Sequence, residues 1–486
     1  MKEFTIKQSP IIGYAGFGGG ISYLKGASVS KDYWSLEFRA NSYDSLTSAA
    51  SNGPRVDSSG NVYSVFYFDD TGGNSERFAG ILKTDSEGVL QWARGYSSSS
   101  TAVSNYGFDV SSSGTIFHHI RQGNTFIEHQ SLATDGTTTS WLKNLGADPN
   151  DNIIGDIGCR IGASGGHYIT GNDQDNIISK SKLAVFKLDS NGDISWSRAV
   201  HGASDQNYVT AGKTFGIDSS ENTYHCIGRY EHPLASNGYK KCSDIIKYNS
   251  SGTIQWKKEF TIGSSETDWD VIDLKGVNCD SSGNNYAYGN YTQADNFSGS
   301  RGILIKSNSS GTVQWVKQIP KDSDGYGGTL DQADIGIDSS GNLYINVTGR
   351  HNSDRTTVVI HKFNSSGVAQ WSRKFYYNAA ALNVSGGHCH VDSNDNLYVT
   401  GSVSVSSVKR VYLLKVPTDG TATGDYGNVT WDSTTTTSIS NVASGSGYAT
   451  GNSPLTEASL SQVTSTATIA QTNISSPSLN NVSYKS

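Results

Sequence analysis

One eight-residue phrase occurs seven times in this chain of 486 residues, and it constrains the fold more than any other feature. The phrase is an apolar residue followed by Asp-Ser-Ser-Gly-Asn-x-Tyr, as at residues 56–63, 279–286 and 337–344. The second positions of successive copies are separated by 54, 51, 56, 62, 58 and 54 residues. A regular period of this length indicates a repeat architecture in which each copy is one supersecondary unit.

A second phrase follows each of the first six copies. It runs from Asp or Asn through Ser and Gly to a tryptophan, as at residues 186–196 and 305–315. Asp and Asn bond their own backbone two residues on, and Gly accepts a positive φ, so both phrases predict β-hairpin turns. Two hairpins give four short strands per unit, which is the blade of a β-propeller. The sequence therefore predicts an all-β, seven-bladed propeller of four-stranded blades between residue 56 and about residue 416.

Ring closure can also be predicted, because the tryptophans mark the fourth strand of each blade. Trp34 lies 58 residues before Trp92 and is in phase with the repeat, so we expect an N-terminal strand to complete blade seven. Such a clasp removes an open sheet edge that would invite aggregation. Trp431 lies 60 residues after Trp371 and competes for the same place, and the sequence alone does not decide between them.

Composition excludes several classes of function. The formal net charge is −7 and no cluster of Lys and Arg stands out, so a nucleic-acid groove is not expected. No run of 18 apolar residues occurs, hence no membrane span is expected. The five cysteines are an odd, scattered set that does not form a disulfide framework.

The two phrases resemble the bacterial β-propeller repeat family often called SBBP repeats, with its Asp-Ser-x-Gly-Asn-x-Tyr-x-x-Gly hairpin. Residues 391–401 and 161–171, which both end in Tyr-x-Thr-Gly, match best. The resemblance covers about three quarters of the chain and implies the fold. It implies no activity, because the matching residues belong to turns and to the core.

The two ends carry a second resemblance. Residues 8–20, rich in glycine, look like the start of tail-associated structural proteins of marine tailed bacteriophages, and residues 417–486 look like the repetitive extensions of phage fibre proteins. This implies a non-catalytic virion structural protein, in the tail, a fibre or another displayed component, with host-surface recognition as a further role. We expect a Gly-rich arm at 1–33, the propeller at 34–431 and a β-rich, Ser/Thr-rich extension at 432–486.

The expected location is the virion, with synthesis in the host cytoplasm and release by lysis, because the composition is that of an extracellular protein and no secretion signal is visible. The arms would bind other virion proteins, and we expect the low-charge extension to add strands to a neighbouring subunit. The alternatives are a secreted bacterial adhesin or polysaccharide-binding propeller, and a propeller enzyme acting on glycans.

Catalytic, cofactor and metal sites are not expected. The chain holds no His-Glu-x-x-His motif. Residues 162–166 match Gly-x-Ser-x-Gly, but they belong to a copy of the repeated turn phrase, and the Gly-Lys-Thr at residues 212–214 lacks the first glycine of a phosphate loop. His388 and His390 lie two residues apart on one strand and could begin a metal site, but no second ligand pair is visible. The carboxylates of Asp268, Asp270 and Asp273 could form part of a glycosidase pair, but their separation cannot be judged from sequence.

Binding is the favoured class, because loops on a rigid propeller carry recognition. The inserts between hairpin strands are rich in Tyr, Asn, Asp, Ser and Gly, a composition that suits sugars and protein partners. The candidate binding residues are Tyr230, His232, Tyr239 and Tyr291. A host-surface glycan or protein is the expected external partner, and an oligomer is the expected assembly.

Overall fold

The computed structural model describes the chain as a ring of β-sheets. Every regular element among the described residues is a β-strand. The described residues are 21–25, 34–40, 45–48, 53–69, 77–98, 103–122, 126–136, 139–144, 151–153, 158–175, 180–201, 209–231, 240–261, 271–292, 301–319, 334–349, 357–377, 383–405, 408–421, 424–426, 429–432, 440–441, 449–452, 456–458 and 469–473.

The strands of blades one to four follow an N-terminal pair, and the innermost strand of blades one, three and four is split into two segments. The pair is β1 (Ile21–Lys25) and β2 (Trp34–Ala40). Blade one holds β3 (Ser45–Ser48), β4 (Arg55–Val56), β5 (Val62–Asp69), β6 (Arg77–Thr84) and β7 (Leu90–Ser98). Blade two holds β8 (Val103–Val110), β9 (Ile116–Gln122), β10 (Phe126–Leu132) and β11 (Thr139–Asn144). Blade three holds β12 (Asp151–Ile153), β13 (Gly158–Ile161), β14 (His167–Asp175), β15 (Lys180–Leu188) and β16 (Ile194–His201). Blade four holds β17 (Val209–Ala211), β18 (Gly216–Ile217), β19 (Thr223–Glu231), β20 (Lys240–Tyr248) and β21 (Ile254–Thr261).

Blades five to seven and the C-terminal strands complete the chain. Blade five holds β22 (Val271–Cys279), β23 (Asn285–Thr292), β24 (Arg301–Ser307) and β25 (Val313–Ile319). Blade six holds β26 (Ile335–Ile337), β27 (Leu343–Gly349), β28 (Thr357–Phe363) and β29 (Ala369–Tyr377), and blade seven holds β30 (Asn383–Val391), β31 (Leu397–Val405) and β32 (Val408–Val416). The remaining strands are β33 (Gly424–Tyr426), β34 (Val429–Asp432), β35 (Ser440–Asn441), β36 (Ala449–Asn452), β37 (Thr456–Ala458) and β38 (Ile469–Asn473). The predicted seven-bladed propeller is confirmed.

The first phrase forms the same hydrogen-bonded turn in five of the seven blades. In blade one, Asp57 Oδ1 accepts hydrogen bonds from the backbone N–H groups of Ser59 and Asn61, both at 2.9 Å. Its Oδ2 accepts from the Asn61 side chain at 2.8 Å and from the Tyr63 hydroxyl at 3.0 Å. Gly60 takes φ +79°. The same carboxylate role is played by Asp218, Asp280, Asp338 and Asp392.

Blade three lacks this Asp, and its neighbour supplies the missing carboxylate. Gly162 occupies the Asp position, and Glu221, from the turn of blade four, accepts hydrogen bonds from the Tyr168 hydroxyl and the Ser164 N–H. Glu221 Oε2 also pairs with Lys187 Nζ at 2.9 Å. Glu221 stands where other copies have Gly, at φ +58°. Glu221 of blade four, at a strained backbone position, therefore supplies the carboxylate that the turn of blade three lacks.

A second ring of contacts joins the blades through the seven phased tryptophans. Each indole N–H donates to a carbonyl in the second turn of the following blade, from Trp34 to Ser86 at 3.0 Å through Trp371 to Thr418 at 3.2 Å. The intervening donors are Trp92, Trp141, Trp196, Trp256 and Trp315. Each ring also lies against the glycine of that turn, where a Cβ would come within 3.1 Å of the indole. This contact explains both the Trp and the Gly of the second phrase.

Trp34, and not Trp431, closes the ring. Strand β2 pairs antiparallel with β32, with Trp34 opposite Lys415, and so forms the fourth strand of blade seven. Strand β34, which carries Trp431, pairs instead with β29 as an additional outer strand of blade six. The turn at residues 417–420 is a seventh copy of the second phrase that sequence reading missed, because no tryptophan follows its glycine at the usual spacing of four residues.

The C-terminal strands run around the outside of the propeller. From blade six, the chain adds an outer strand to blade five (β35 on β25), blade four (β36 on β21), blade three (β37 on β16) and blade one (β38 on β7). Strand β1 takes the equivalent place on blade seven. We call these outer strands, β1 and β34 to β38, the belt. In this single chain β35 to β38 pair with edges of their own blades, which lie within reach of a few extended residues, and the addition of strands to a neighbouring subunit stays a prediction.

Candidate ligand site at the propeller axis

One sequence position from each blade converges on the propeller axis. The residue before each copy of the first phrase is the last but one of the innermost strand. Its identity varies from blade to blade, although the phrase itself repeats. We call these residues the axial ring: Arg55, Asp109, Arg160, Gly216, Asn278, Gly336 and His390. Six of the seven line a cavity of about 230 Å³, to which every blade contributes at least one residue. At roughly 30 Å³ per water, this is space for a small ligand or several waters.

Arg55 and Asp109 join blades one and two within this cavity. Arg55 Nε lies 2.9 Å from Asp109 Oδ1, and both side chains are almost completely buried. Asp109 also accepts hydrogen bonds from the N–H groups of Val110 at 3.0 Å and Ile161 at 2.8 Å. The acceptor capacity of this carboxylate is therefore used within the protein.

The Arg55 guanidinium is held rigidly but is not saturated. Its Nη1 donates to the carbonyls of Gly53 and Pro54 at 3.2 and 3.0 Å, and its Cζ lies 5.9 Å from the centre of the Phe108 ring. Its Nη2 is buried and donates no hydrogen bond within the described structure. A buried donor without a partner costs free energy, so this atom marks a place where a ligand or water is accepted.

A second, looser pair lies across the axis. Arg160 Nε donates to the Phe215 carbonyl at 3.4 Å, and Arg160 Nη2 lies 3.5 Å from Asp334 Oδ2. Asp334 accepts the Ile335 N–H at 2.9 Å and is 1% exposed. The sequence analysis did not predict a role for Arg55, Asp109, Arg160 or Asp334. The first three lie at the variable position before a copy of the repeated phrase, and that variation was a usable signal.

Burial shifts the ionisation of the groups around this cavity. Burial raises the pKa of Asp109 and of Asp334, and the positive charge of Arg55 opposes the rise in both. Burial lowers the pKa of His390 to about 3, so this imidazole is neutral at physiological pH. The cavity lining thus combines two guanidinium groups, the Asp109 carboxylate and a neutral imidazole, and the Asp334 carboxylate lies beside Arg160.

A separate group of buried histidines lies between blades two and three. His119 and His129 stack with their ring centres 3.9 Å apart, and the His129 and His167 rings are 5.7 Å apart. All three are at most 1% exposed, and their Nδ1 atoms have no hydrogen-bond partner within the described structure. These three imidazoles therefore lie at the interface between the two blades.

The loop candidates for binding fall mostly outside the described residues. Tyr230 lies in β19 opposite Lys241, and Tyr291 lies in β23 between Ile272 and Arg301. His232 and Tyr239 lie outside the described residues, and the side chains of Tyr230 and Tyr291 are not described either. Binding by these four residues stays a prediction.

The remaining sequence candidates are placed in part. His388 is buried on β30 and only His390 reaches the axial cavity, so the structure does not bring these two imidazoles to one site. Asp273 pairs with Lys275 at 2.7 Å, whereas Asp268 and Asp270 lie outside the described residues. Within the described ranges, no group of three His, Cys, Asp or Glu side chains is placed to hold a metal ion. No described helix has the length and apolar character to cross a membrane.

Comparisons with known proteins add little to this geometry. No family model matches the chain, so the likeness to SBBP repeats stays a resemblance. No curated protein matches it either. Among the solved structures that match is the phage phi92 endosialidase, with a TM-score of 0.36 and 10% sequence identity over 79% of this chain and 70% of that chain. A TM-score of this size carries no inference about function.

Proposed function

We propose that this chain is a non-catalytic structural protein of a tailed-phage virion, displayed in the tail, in a fibre or on another component. The observation that carries the proposal is the belt, which covers the outer edge of six blades with strands of the same chain. Covered edges suppress pairing with foreign strands, which suits a protein that persists outside a cell at high local concentration.

Recognition of a host surface is the role that this architecture suits best. The ring is held by the phased tryptophans, so inserts between its strands are presented on a rigid scaffold. The inserts carry Tyr, Asn and Asp side chains that suit glycans. The arms at both ends are the proposed points of attachment to other virion proteins.

Purified virions test the setting. Mass spectrometry of particles banded on a density gradient should find peptides from this propeller in a fixed ratio to a known tail protein. Its absence from such particles, with the protein present in the lysate, would overturn the virion proposal and leave a secreted adhesin or polysaccharide-binding protein.

One observation favours a second candidate, a propeller enzyme that acts on glycans. Asp109 and Asp334 are buried carboxylates with raised pKa values near the axis, which is a pattern found in general acids. Release of reducing ends from host polysaccharide by the purified protein, abolished by Asp334→Asn, would establish that activity. No release would support the non-catalytic proposal.

A further inference from the structure

The hydrogen-bond capacity of the axial cavity is unbalanced, and donors are in excess. Asp109 is satisfied by Arg55, Val110 and Ile161. Asn278 donates to the Ile335 carbonyl at 2.7 Å and accepts from the Cys279 N–H at 2.9 Å, so its amide is also satisfied.

The unused groups are two guanidinium donors. Arg55 Nη2 is buried without a hydrogen bond, and Arg160 Nη2 makes only a 3.5 Å approach to Asp334. The backbone carbonyls that accept from Arg55 Nη1 and Arg160 Nε fix the two planes in place. A rigidly held guanidinium nitrogen with unused N–H groups is suited to an oxyanion, because hydrogen bonds between a cationic donor and an anionic acceptor are the stronger ones.

The cavity also has a size and a location that suit a small ligand. Its volume of about 230 Å³ is close to the lower end of ordinary ligand pockets. The apolar walls formed by Ile217, Ile337 and Val391 lower the local dielectric and strengthen ionic hydrogen bonds.

We propose that the axial cavity binds a small oxyanion, a carboxylate or a phosphate, through Arg55 Nη2 and Arg160. This site is distinct from the loop surface of the proposed function and does not depend on the virion setting. The ligand's oxygens would accept hydrogen bonds from the Arg55 Nη2 and Arg160 Nη2 groups, which Asp109 and Asp334 do not fully engage.

Titration calorimetry on the full-length protein tests the site. The probes are D-glucuronate, inorganic phosphate and, as a neutral control, D-glucose, in a low-chloride buffer at neutral pH. We expect one or both anions to bind with a stoichiometry of one, and glucose not to bind. Glucuronate alone would identify a carboxylate ligand and phosphate alone a phosphate ligand. The absence of binding by both anions at millimolar concentration would overturn the proposal.

A matched pair of variants assigns the binding to the axis. Arg160→Gln should weaken anion binding roughly 10-fold or more, the usual effect of losing a hydrogen bond to a charged group. Arg198→Gln is the control, because Arg198 Nε also donates to a backbone carbonyl, of Gly252, but at the rim of the ring. Unchanged affinity in Arg160→Gln, or an equal loss in Arg198→Gln, would contradict the proposal.

A measurement on the wild-type protein covers the case in which Arg160→Gln does not fold. Arg160 is 15% exposed, so an arginine-selective reagent such as phenylglyoxal can reach it slowly. Bound anion should slow modification of the Arg160 peptide and leave the Arg198 peptide unaffected. Equal labelling of Arg160 with and without anion would count against the site.

Discussion

At the scale of single residues, the repeat is maintained by replacing lost contacts from neighbouring blades. The most informative case is Glu221, which accepts the Tyr168 hydroxyl that an Asp at position 162 would accept in the other turns. Burial alone would raise the pKa of Glu221, but hydrogen bonds from Ser164, Lys187 and Tyr168 outweigh it and lower the pKa to about 2. The Glu221 carboxylate is therefore ionised at neutral pH.

A double-mutant cycle tests this replacement. Glu221→Gly should lower the free energy of unfolding by about 1–2 kcal/mol, because a buried hydroxyl loses its acceptor while a strained φ is relieved. Gly162→Asp alone should also destabilise, since a Cβ at Gly162 would lie 2.6 Å from Glu221 Oε1. The double variant restores the consensus turns and should return to within about 0.5 kcal/mol of wild type. Urea unfolding measures all three.

The control for this cycle is Asp395→Gly. Asp395 is the second non-glycine residue at the turn glycine position, with φ +61°, and it bonds only exposed groups of Ser339. We expect a change under about 0.5 kcal/mol. Additive losses in the Gly162/Glu221 double variant would show that the two sites are not coupled.

At the scale of strands and blades, two features are decided by packing between elements: the belt and the buried histidines. The belt adds strands to sheets that already hold four, so its strands cover edges and leave the ring topology unchanged. The histidines are buried between blades two and three, and their Nδ1 atoms have no hydrogen-bond partner among the described residues, so burial opposes their protonation.

Removal of the belt should expose sheet edges without unfolding the propeller. Truncation after Asp432 bares the outer strands of blades five, four, three and one, and we expect self-association detected by light scattering, with a far-UV spectrum still of β type. The control is truncation after Asn473, which keeps β38. If the chain truncated after Asp432 stays monomeric and equally soluble, the belt does not protect these edges.

Acid should destabilise the protein through the buried histidines. Burial lowers the pKa of His167 to about 4, although the carboxylate of Asp189 opposes this shift, and burial also lowers the pKa values of His119 and His129 well below the usual range. Groups with lowered folded-state pKa values contribute stability in full above the unfolded value of about 6.5, and that contribution is lost as pH falls. Each such histidine lowers the free energy of unfolding by about 1.4 kcal/mol per pH unit between its two pKa values.

Thermal unfolding between pH 8 and pH 5 measures this loss. His129→Phe should reduce its slope, because one protonation is removed and the ring still stacks on His119. An unfolding temperature that is the same at pH 8 and pH 5 would contradict the prediction.

At the scale of the whole molecule, the ring is closed by non-covalent contacts between distant parts of the chain. Trp34 is 3% exposed, donates to the Ser86 carbonyl and lies against Gly88. Strand β2 belongs to blade seven, and the chain continues from it into blade one, so this strand links the last blade covalently to the first.

Substitution of the closing tryptophan should have a consequence that an internal tryptophan does not share. Trp34→Ala should lower the free energy of unfolding by about 3–5 kcal/mol, the usual cost of truncating a large buried ring, and Trp371→Ala should lower it by less, because the Trp371 ring is only partly buried. Only Trp34→Ala should also form dimers at high concentration, because a loosened β2 can pair with blade seven of another copy. Light scattering with urea unfolding compares the two, and equal dimerisation by Trp371→Ala would refute a special role for β2.

The sequence by itself determined the number of blades, the first turn of each blade, the second turn of six blades and the phase of the closing Trp34. These properties are local, because an Asp that bonds its own turn and a Gly that takes positive φ act within a few residues. Only the tertiary structure decided that Glu221 serves Tyr168, that the axial ring brings Arg55, Asp109 and Arg160 together, and that the extension forms a belt on its own blades. Those contacts join residues about 50 or more positions apart, and they depend on how each blade is rotated against the next, which no short pattern specifies.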